Sequence, residues 1–171
     1  MRVAYADPPY PGQAAKHYVD HPDYAGEVDH AALIGRLLRE FPDGWALSTA
    51  STTLREVIAL CPPVVRVGAW VKPFASFKPN VNPAYAWEPV IFYGGRQPRP
   101  RTEATVRDWC AAPITLQRGL TGAKPEAVCF WVFAFLGLQA GDELVDLFPG
   151  TGAVTRAWQR WQQQLFRKSV A

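Results

Sequence analysis

Short apolar runs alternate along the chain with segments of helical periodicity. The runs are of strand length and lie at 3–6, 45–49, 64–72, 89–93 and 143–148. Helical patterns fall between several of them, and strands that alternate with helices build a largely parallel sheet. The pattern therefore predicts an α/β fold with a mostly parallel sheet.

Capping residues and prolines set the expected helix boundaries. Asp29 is a good N-cap, and the helix that follows it has to end before Pro42. The face of this helix expected to be buried consists of Ala32, Leu33, Leu37 and Leu38. Further helices are expected from Thr52 or Thr53 to Cys61, over 124–138 and from about residue 153.

Length and cysteine content limit the classes of protein. A chain of 171 residues suits one compact domain. No apolar run approaches the ~18 residues needed to span a membrane, and the first residues lack the pattern of a signal peptide. We therefore expect a cytoplasmic protein. Cys61, Cys110 and Cys129 are odd in number and widely spaced, so reduced thiols are expected, and neither a disulfide framework nor a metal site.

Basic residues are concentrated in the second half of the chain. The formal net charge is only +3, but residues 96–124 hold six bases and two acids. This segment shows little periodicity apart from a short helix expected at 105–110. Its candidates for contacts with nucleic acid are Arg96, Arg99, Arg101 and Arg107, with Trp109 as a stacking ring. A solvated loop that happens to be basic is the alternative.

The first candidate motif is Asp7-Pro8-Pro9-Tyr10, directly after the first strand. Ligands of open α/β sheets bind at such strand ends. Two prolines remove two N–H donors, so a carboxylate and the Pro8 carbonyl can accept both N–H groups of an exocyclic amine. Tyr10 offers a ring on which a base can stack. A rigid turn without a chemical role is the alternative.

The second candidate motif is Asp146-Leu147-Phe148-Pro149-Gly150-Thr151-Gly152, between a strand and a helix. Its glycines allow a ligand to approach the backbone closely, although a structural turn would use them too. No Gly-Lys-Ser/Thr follows, so a P-loop is not expected. A third segment, Lys124-Pro125-Glu126, places a lysine at a helix start, where it could bind a carboxylate or be a surface residue.

These three segments, in this order, resemble the motifs of amino-methyltransferases with a circularly permuted motif order. Those families are the MT-A70-type adenine-N6 enzymes and the β-class DNA methyltransferases. In them an Asp-Pro-Pro-Tyr/Trp motif comes first, a Lys-Pro-Glu-like segment follows late, and an Asp-x-Phe-x-Gly-x-Gly loop comes last. The likeness covers residues 3–12 and 121–158, and 87–96 resembles the strand before their target-recognition loops.

The resemblance implies a Rossmann-like methyltransferase fold with one antiparallel edge strand and S-adenosylmethionine (SAM) as the cofactor. It implies a single domain over 1–171, with a catalytic half at about 1–95, a basic loop at about 96–123 and a cofactor half at about 124–171. The acceptor it implies is adenine N6 in DNA, with cytosine N4 and RNA adenine as alternatives. The residues implied for the target amine are Asp7, Pro8, Pro9 and Tyr10. Those implied for the SAM pocket are Lys124, Asp146, Phe148, Pro149, Gly150, Thr151 and Gly152.

One departure from the family pattern concerns the cofactor ribose. The families carry an acid at the end of the next strand, whereas no Asp or Glu follows Asp146 here. Three explanations are open: another group of this chain holds the ribose, SAM binds weakly, or a partner chain or second copy completes the site. A non-catalytic nucleic-acid-binding subunit is therefore one rival interpretation. Methylation of a small amine or a protein glutamine is another.

Overall fold

The computed structural model describes residues 1–12, 26–73, 81–100, 103–114 and 123–170. The strands are Arg2–Ala6 (β1), Gly44–Ser48 (β2), Arg66–Val71 (β3), Trp87–Gly94 (β4), Trp109–Ala111 (β5) and Glu143–Asp146 (β6). The helices are His30–Glu40 (α1), Leu54–Ile58 (α2), Glu126–Leu136 (α3) and Ala153–Val170 (α4). None of the helices in these ranges is long and apolar enough to cross a membrane.

The six strands form one sheet in the order β5-β3-β4-β2-β1-β6. β1 is parallel to β2 and β6, and β3 is parallel to β5, whereas β4 is antiparallel to both of its neighbours. The expected mostly parallel α/β fold is confirmed. The reversed strand, however, lies between β2 and β3 and not at an edge, because β3 and β5 extend the sheet beyond it.

Apolar side chains alternate between the two faces of the sheet, and helices cover both faces. Along β1, Val3 and Tyr5 belong to one core cluster, while Ala4 and Ala6 belong to the other. The first cluster includes α3 and part of α4, and the second includes α1 and part of α2. This three-layer arrangement fits strands that are buried on both sides.

The helix α1 begins as the sequence predicts, but its buried face is shifted. The carboxylate of Asp29 accepts a hydrogen bond from the Ala32 backbone N–H at 3.0 Å. Leu33 and Leu37 are buried as expected, whereas Ala32 is exposed and Ile34 is buried in its place. The reason is geometric, since Ala32 lies in the first turn, on the side that faces away from the sheet.

Two other predicted helices differ from the structure. The helix α2 ends at Ile58 and does not continue to Cys61, because the segment before Pro62 turns instead. Where a helix is predicted at 105–110, the chain is irregular up to residue 108 and then enters β5, which pairs with Ala69–Val71 of β3. Three residues are too few for a recognisable strand pattern, and pairing with β3 overrides the weak helical signal.

Candidate active site

The two motifs predicted from the sequence meet where β1 and β6 end, at the edge of the sheet formed by the carboxyl ends of these strands. Tyr5 of β1 lies opposite Asp146 of β6, and the Leu147 N–H donates to the Tyr5 carbonyl at 3.0 Å. Asp7 follows β1 directly, so it lies at the edge from which the glycine-rich segment also leaves. Because β4 runs in the opposite direction, its first residues reach this same edge.

Asp7 lies next to a buried cation. Its side chain is 19% exposed, and its Oδ1 is 3.0 Å from Nζ of Lys124. Burial raises the pKa of the Asp7 carboxyl in spite of the lowering effect of Lys124. A carboxylate with a raised pKa is a more basic acceptor for an N–H group than a freely solvated one.

Lys124 is the centre of a polar cluster at this edge. Its side chain is only 7% exposed, and Nζ lies 3.2 Å from both the Tyr10 hydroxyl and Oε2 of Glu88. Burial alone would lower the pKa of Lys124, but Asp7 and the other nearby acids and tyrosines raise it well above its usual value. The ammonium is therefore matched by charges inside the protein, and any cofactor carboxylate would have to share it.

Glu88 completes the cluster from the reversed strand. Its Oε2 accepts a hydrogen bond from the Tyr10 hydroxyl at 2.7 Å, and its Oε1 pairs with Nζ of Lys72. Burial alone would raise the pKa of Glu88, but Lys124 and Lys72 outweigh it and lower that pKa. Glu88 is 78 positions from Tyr10 and belongs to neither motif. The signal that points to it is an acid at the start of an otherwise apolar strand.

The backbone from Asp7 to Tyr10 is fixed at both ends. Pro8 is buried and Pro9 is half-buried, and neither has an N–H group to donate. The Tyr10 hydroxyl is held by Glu88 and Lys124, which restricts the orientation of the ring. The structure thus brings the four predicted catalytic residues together with Lys124.

Asp146 fixes the start of the turn after β6. Its carboxylate accepts hydrogen bonds from the Phe148 N–H at 3.3 Å and from the Thr155 hydroxyl at 3.4 Å. Burial raises the pKa of Asp146, while these two donors lower it. Phe148 packs against the core cluster that contains α1. Asp146 therefore links the strand end to the first turn of α4.

The glycine-rich turn leaves an open space beside its backbone. Gly150 has a φ of +41° and Gly152 a φ of +71°, and the Gly152 N–H donates to the Pro149 carbonyl at 2.6 Å. A Cβ added to Gly150 would lie 3.9 Å from the Phe148 carbonyl oxygen, its nearest non-adjacent atom. Thr151 is half-buried, and its carbonyl accepts from the Arg156 guanidinium. A ligand can therefore approach the backbone at Gly150.

Two of the arginines expected to contact nucleic acid are used inside the protein. Arg96 donates to both carboxylate oxygens of Asp142 and to the Gly137 carbonyl, and Arg99 donates to the Ala134 carbonyl. They lie beyond the end of β4, beside the start of β2, at the sheet edge opposite the motifs. The N–H groups that Arg96 and Arg99 use in these bonds therefore face the end of α3, and the expected contacts of both residues with nucleic acid stay a prediction.

Arg107 keeps an exposed position. Its guanidinium carbon lies 5.3 Å from the ring centroid of Trp109, whose side chain is 44% exposed. Such an arginine–tryptophan pair is suited to stacking and phosphate contacts. Arg101 lies outside the described residues. Within the described ranges, no three His, Cys, Asp or Glu side chains form a group that could hold a metal ion.

No protein-family model matches the sequence, and no curated protein does. Solved structures do match. The crystal structure of the M1.HpyAVI–SAM complex is similar over 94% of this chain and 78% of its own, with a TM-score of 0.60 and 15% identity. The crystal structure of M1.HpyAVI is similar over 94% of this chain and 76% of its own, with a TM-score of 0.58 and 16% identity. The chain therefore has the same Rossmann-like α/β fold as these two structures.

Proposed function

We propose that this protein transfers a methyl group from SAM to the exocyclic amine of a nucleobase, with adenine N6 in DNA as the preferred acceptor. The observation that carries the proposal is the position of Asp7. It lies at the end of β1, beside the strand whose exit forms the open glycine turn. An amine acceptor and a cofactor bound at these two places would be neighbours.

The acceptor side of the site is suited to holding an amine. The Asp7 carboxylate and the Pro8 carbonyl accept the two N–H groups, which leaves the nitrogen lone pair directed away from them. The nitrogen then forms its bond to the methyl carbon as the bond between sulfur and that carbon breaks. The extra proton leaves the nitrogen by way of Asp7 or water. Tyr10 would stack on the base.

The cofactor side offers groups that fit SAM. SAM supplies a methyl group already activated by its sulfonium, so the protein contributes orientation and electrostatics. The open backbone at Gly150 admits a bulky ligand. Asp146 can meet the amino group of the methionine part, and Lys124 can share its charge with the carboxylate. M1.HpyAVI, which has a similar fold and whose complex with SAM has been solved, supports this cofactor.

An exposed aromatic face supports a nucleic acid as the acceptor. Ala69 pairs with Trp109 and Val71 pairs with Trp87, so both tryptophans point to the same face of the sheet. Trp109 on β5 is two strands across the sheet from Trp87 on β4, and it is offset by two residues along the strand direction. Their Cα atoms are therefore roughly 12 Å apart. Trp87 directly precedes Glu88 in β4, and the two side chains point to opposite faces of the sheet. Bases that flank a target could stack on Trp87 and on the Arg107–Trp109 pair.

A specific observation favours a second candidate, a non-catalytic subunit that binds nucleic acid. Lys124, the candidate for the SAM carboxylate, already pairs with Asp7 and Glu88 inside the protein. Calorimetric titration with SAM separates the two candidates. Saturable binding supports the enzyme, and no heat of binding at millimolar SAM would favour the subunit.

The direct test identifies the methylated product. The protein is incubated with methyl-labelled SAM and with DNA or RNA, each single-stranded or double-stranded, and the polymers are digested to nucleosides. We expect labelled N6-methyladenine from DNA. Label in N4-methylcytosine or in RNA would change the acceptor, and label in no nucleoside would contradict the proposal. A parallel incubation with a protein substrate rich in glutamine tests the small-amine and protein-glutamine alternatives.

A further inference from the structure

We infer that Glu88 is a positioning residue for the proposed methyl transfer: it shares Lys124 with Asp7 and so keeps the Asp7 carboxylate available to the acceptor amine. This inference rests on the proposed function for its kinetic consequence. Its electrostatic part concerns the protein alone and can be measured without turnover.

The geometry places one cation between two carboxylates. Nζ of Lys124 is 3.0 Å from Oδ1 of Asp7 and 3.2 Å from Oε2 of Glu88. Lys124 is buried, so water does little to screen either pair. A cation that divides its hydrogen bonds between two acids neutralises each of them less than it would neutralise one alone.

Glu88 also acts on the aromatic side of the site. The same oxygen that meets Lys124 accepts the Tyr10 hydroxyl at 2.7 Å. Lys72 binds the other oxygen and holds the carboxylate in place. One side chain therefore sets both the charge balance around Asp7 and the orientation of the ring on which the base would stack.

The groups around Asp7 make the direction of the effect explicit. Burial raises the pKa of Asp7, Lys124 lowers it, and the negative charge of Glu88 raises it. Several other polar or titratable groups face Asp7 from the elements packed around it: Tyr5, Tyr10, Ser48, Cys129 and Asp146. With Glu88 made neutral and these groups unchanged, Lys124 pairs with Asp7 alone and the pKa of Asp7 falls.

The first measurement follows the carboxyl carbon of Asp7 by NMR in protein labelled with ¹³C-aspartate. The Asp7 signal is assigned as the one missing from Asp7→Asn. We expect Glu88→Gln to shift the Asp7 titration to lower pH, whereas Lys124→Gln shifts it to higher pH. Glu88→Asp, which keeps the charge, serves if Glu88→Gln does not fold, and it should leave the titration near that of the native protein. An unchanged Asp7 titration in a folded Glu88→Gln protein would overturn the inference.

The second measurement is the pH profile of kcat. We expect Glu88→Gln to lower kcat at neutral pH by about tenfold or more, because both the acceptor and the ring lose their alignment. The acid limb of the profile should move to lower pH, while SAM affinity stays near the native value. Glu143→Gln is the matched control, since Glu143 is an exposed acid at the opposite end of β6. Glu143→Gln should change neither kcat at neutral pH nor the position of the acid limb.

The outcomes separate this inference from the proposed function. Native protein that methylates no nucleic acid contradicts the proposed function, while the NMR titration still decides the role of Glu88. A lower kcat with an unmoved acid limb and an unmoved Asp7 titration would mean that Glu88 only stabilises the fold.

Discussion

Asp7 is the residue on which the chemical proposal depends most directly. It is mostly buried and paired with one cation, so its charge is felt strongly by a group that enters the site. Its neighbours Pro8 and Pro9 offer carbonyls and no N–H donors. Apart from the shared charge of Lys124, the contacts that SAM would make lie at the turn after the neighbouring strand β6.

Replacement of Asp7 should therefore separate catalysis from cofactor binding. We expect Asp7→Ala to reduce methyl transfer by at least about 100-fold, because the amine loses an acceptor that aligns it. SAM affinity should change by no more than a few-fold. Transfer of labelled methyl groups and calorimetry with SAM measure the two effects. Asp7→Asn is the control for shape, and native turnover in Asp7→Ala would contradict the assignment.

Gly150 should behave in the opposite way. Its φ of +41° is unfavourable for a residue with a Cβ, at a cost of roughly 1–2 kcal/mol, and the side chain would enter the space proposed for SAM. We expect Gly150→Val to weaken SAM binding by tenfold or more. Binding of single-stranded DNA, measured by fluorescence anisotropy, should remain native. Gly141→Val is the control, because Gly141 also has a positive φ and lies in the turn before β6.

At the scale of elements, the helix α3 is held at its two ends by different kinds of contact. Its N-terminal side carries Lys124 in the polar cluster. Its C-terminal side meets Arg96 and Arg99, and one Nη of Arg96 donates to both carboxylate oxygens of Asp142. The basic composition of 96–124 predicts a polyanion surface, but it cannot reveal that these guanidinium groups bind the carbonyls at a helix end.

Loss of the Asp142 charge should therefore destabilise the fold without acting on the site. Burial alone would raise the pKa of Asp142, but the Met1 amino group, the Gln139 N–H and Arg96 lower it. A carboxyl whose pKa is lower in the folded state stabilises the fold above its unfolded pKa, near 4. This stabilisation is lost as the pH falls through the lowered folded value.

We expect Asp142→Asn to lower the free energy of unfolding by about 2–4 kcal/mol at pH 7, since it leaves Arg96 without its partner. The difference between native and variant protein should shrink below pH 4. Urea unfolding at pH 7 and at pH 3 measures both values. Glu56→Gln is the control, because Glu56 is an exposed acid of α2. Asp43 is less suitable, because it accepts a hydrogen bond from the Arg2 N–H. An equal loss at both pH values would contradict the linkage.

The order and type of the long elements are predictable from the sequence, and the reasons are physical. β1 and α1 carry clear apolar patterns, and the N-cap at Asp29 is local information. β5 is not predictable in this way, because three residues gain their strand conformation from pairing with β3. The position of β4 inside the sheet also depends on partners far along the chain.

At the scale of the whole molecule, the exposed tryptophans suggest where a strand of nucleic acid would lie. Trp87 and Trp109 share a face of the sheet, and the guanidinium of the exposed Arg107 lies against the Trp109 ring. We expect Trp109→Ala to weaken binding of single-stranded DNA by about 5- to 150-fold, since a stacked base is worth about 1–3 kcal/mol. Fluorescence anisotropy with a labelled oligonucleotide measures this loss.

Two control variants show whether the loss of DNA affinity comes from the Trp109 ring. Trp109→Phe keeps a ring and should restore much of the affinity. Arg39→Gln removes an exposed arginine at the end of α1 and should have little effect. Sedimentation of native protein and Trp109→Ala shows whether the face instead joins two copies of the chain. A dimer that dissociates in the variant, with unchanged DNA affinity, would contradict the nucleic-acid surface.

The candidate site is predictable from the sequence as two motifs and a lysine, but not as an electrostatic unit. Asp7 and the glycine turn are recognisable because each motif is contiguous. Glu88 and Lys72 act through contacts that cross the sheet, so no local pattern relates them to Tyr10. The sequence likewise places Lys124 at a helix start without revealing that two acids already share its charge.

The pairing of β1 with β6 has a consequence for the time at which the site forms during synthesis. Arg2 and Glu143 are partners although 141 positions separate them. β1 can pair with β2 once about 50 residues have been made, whereas its other side waits for β6 and so for nearly the whole polypeptide. The β6 side of β1 therefore stays an unpaired strand edge until residues 143–146 have been made. Asp7 and the glycine-rich turn come together only after β6 has left the ribosome.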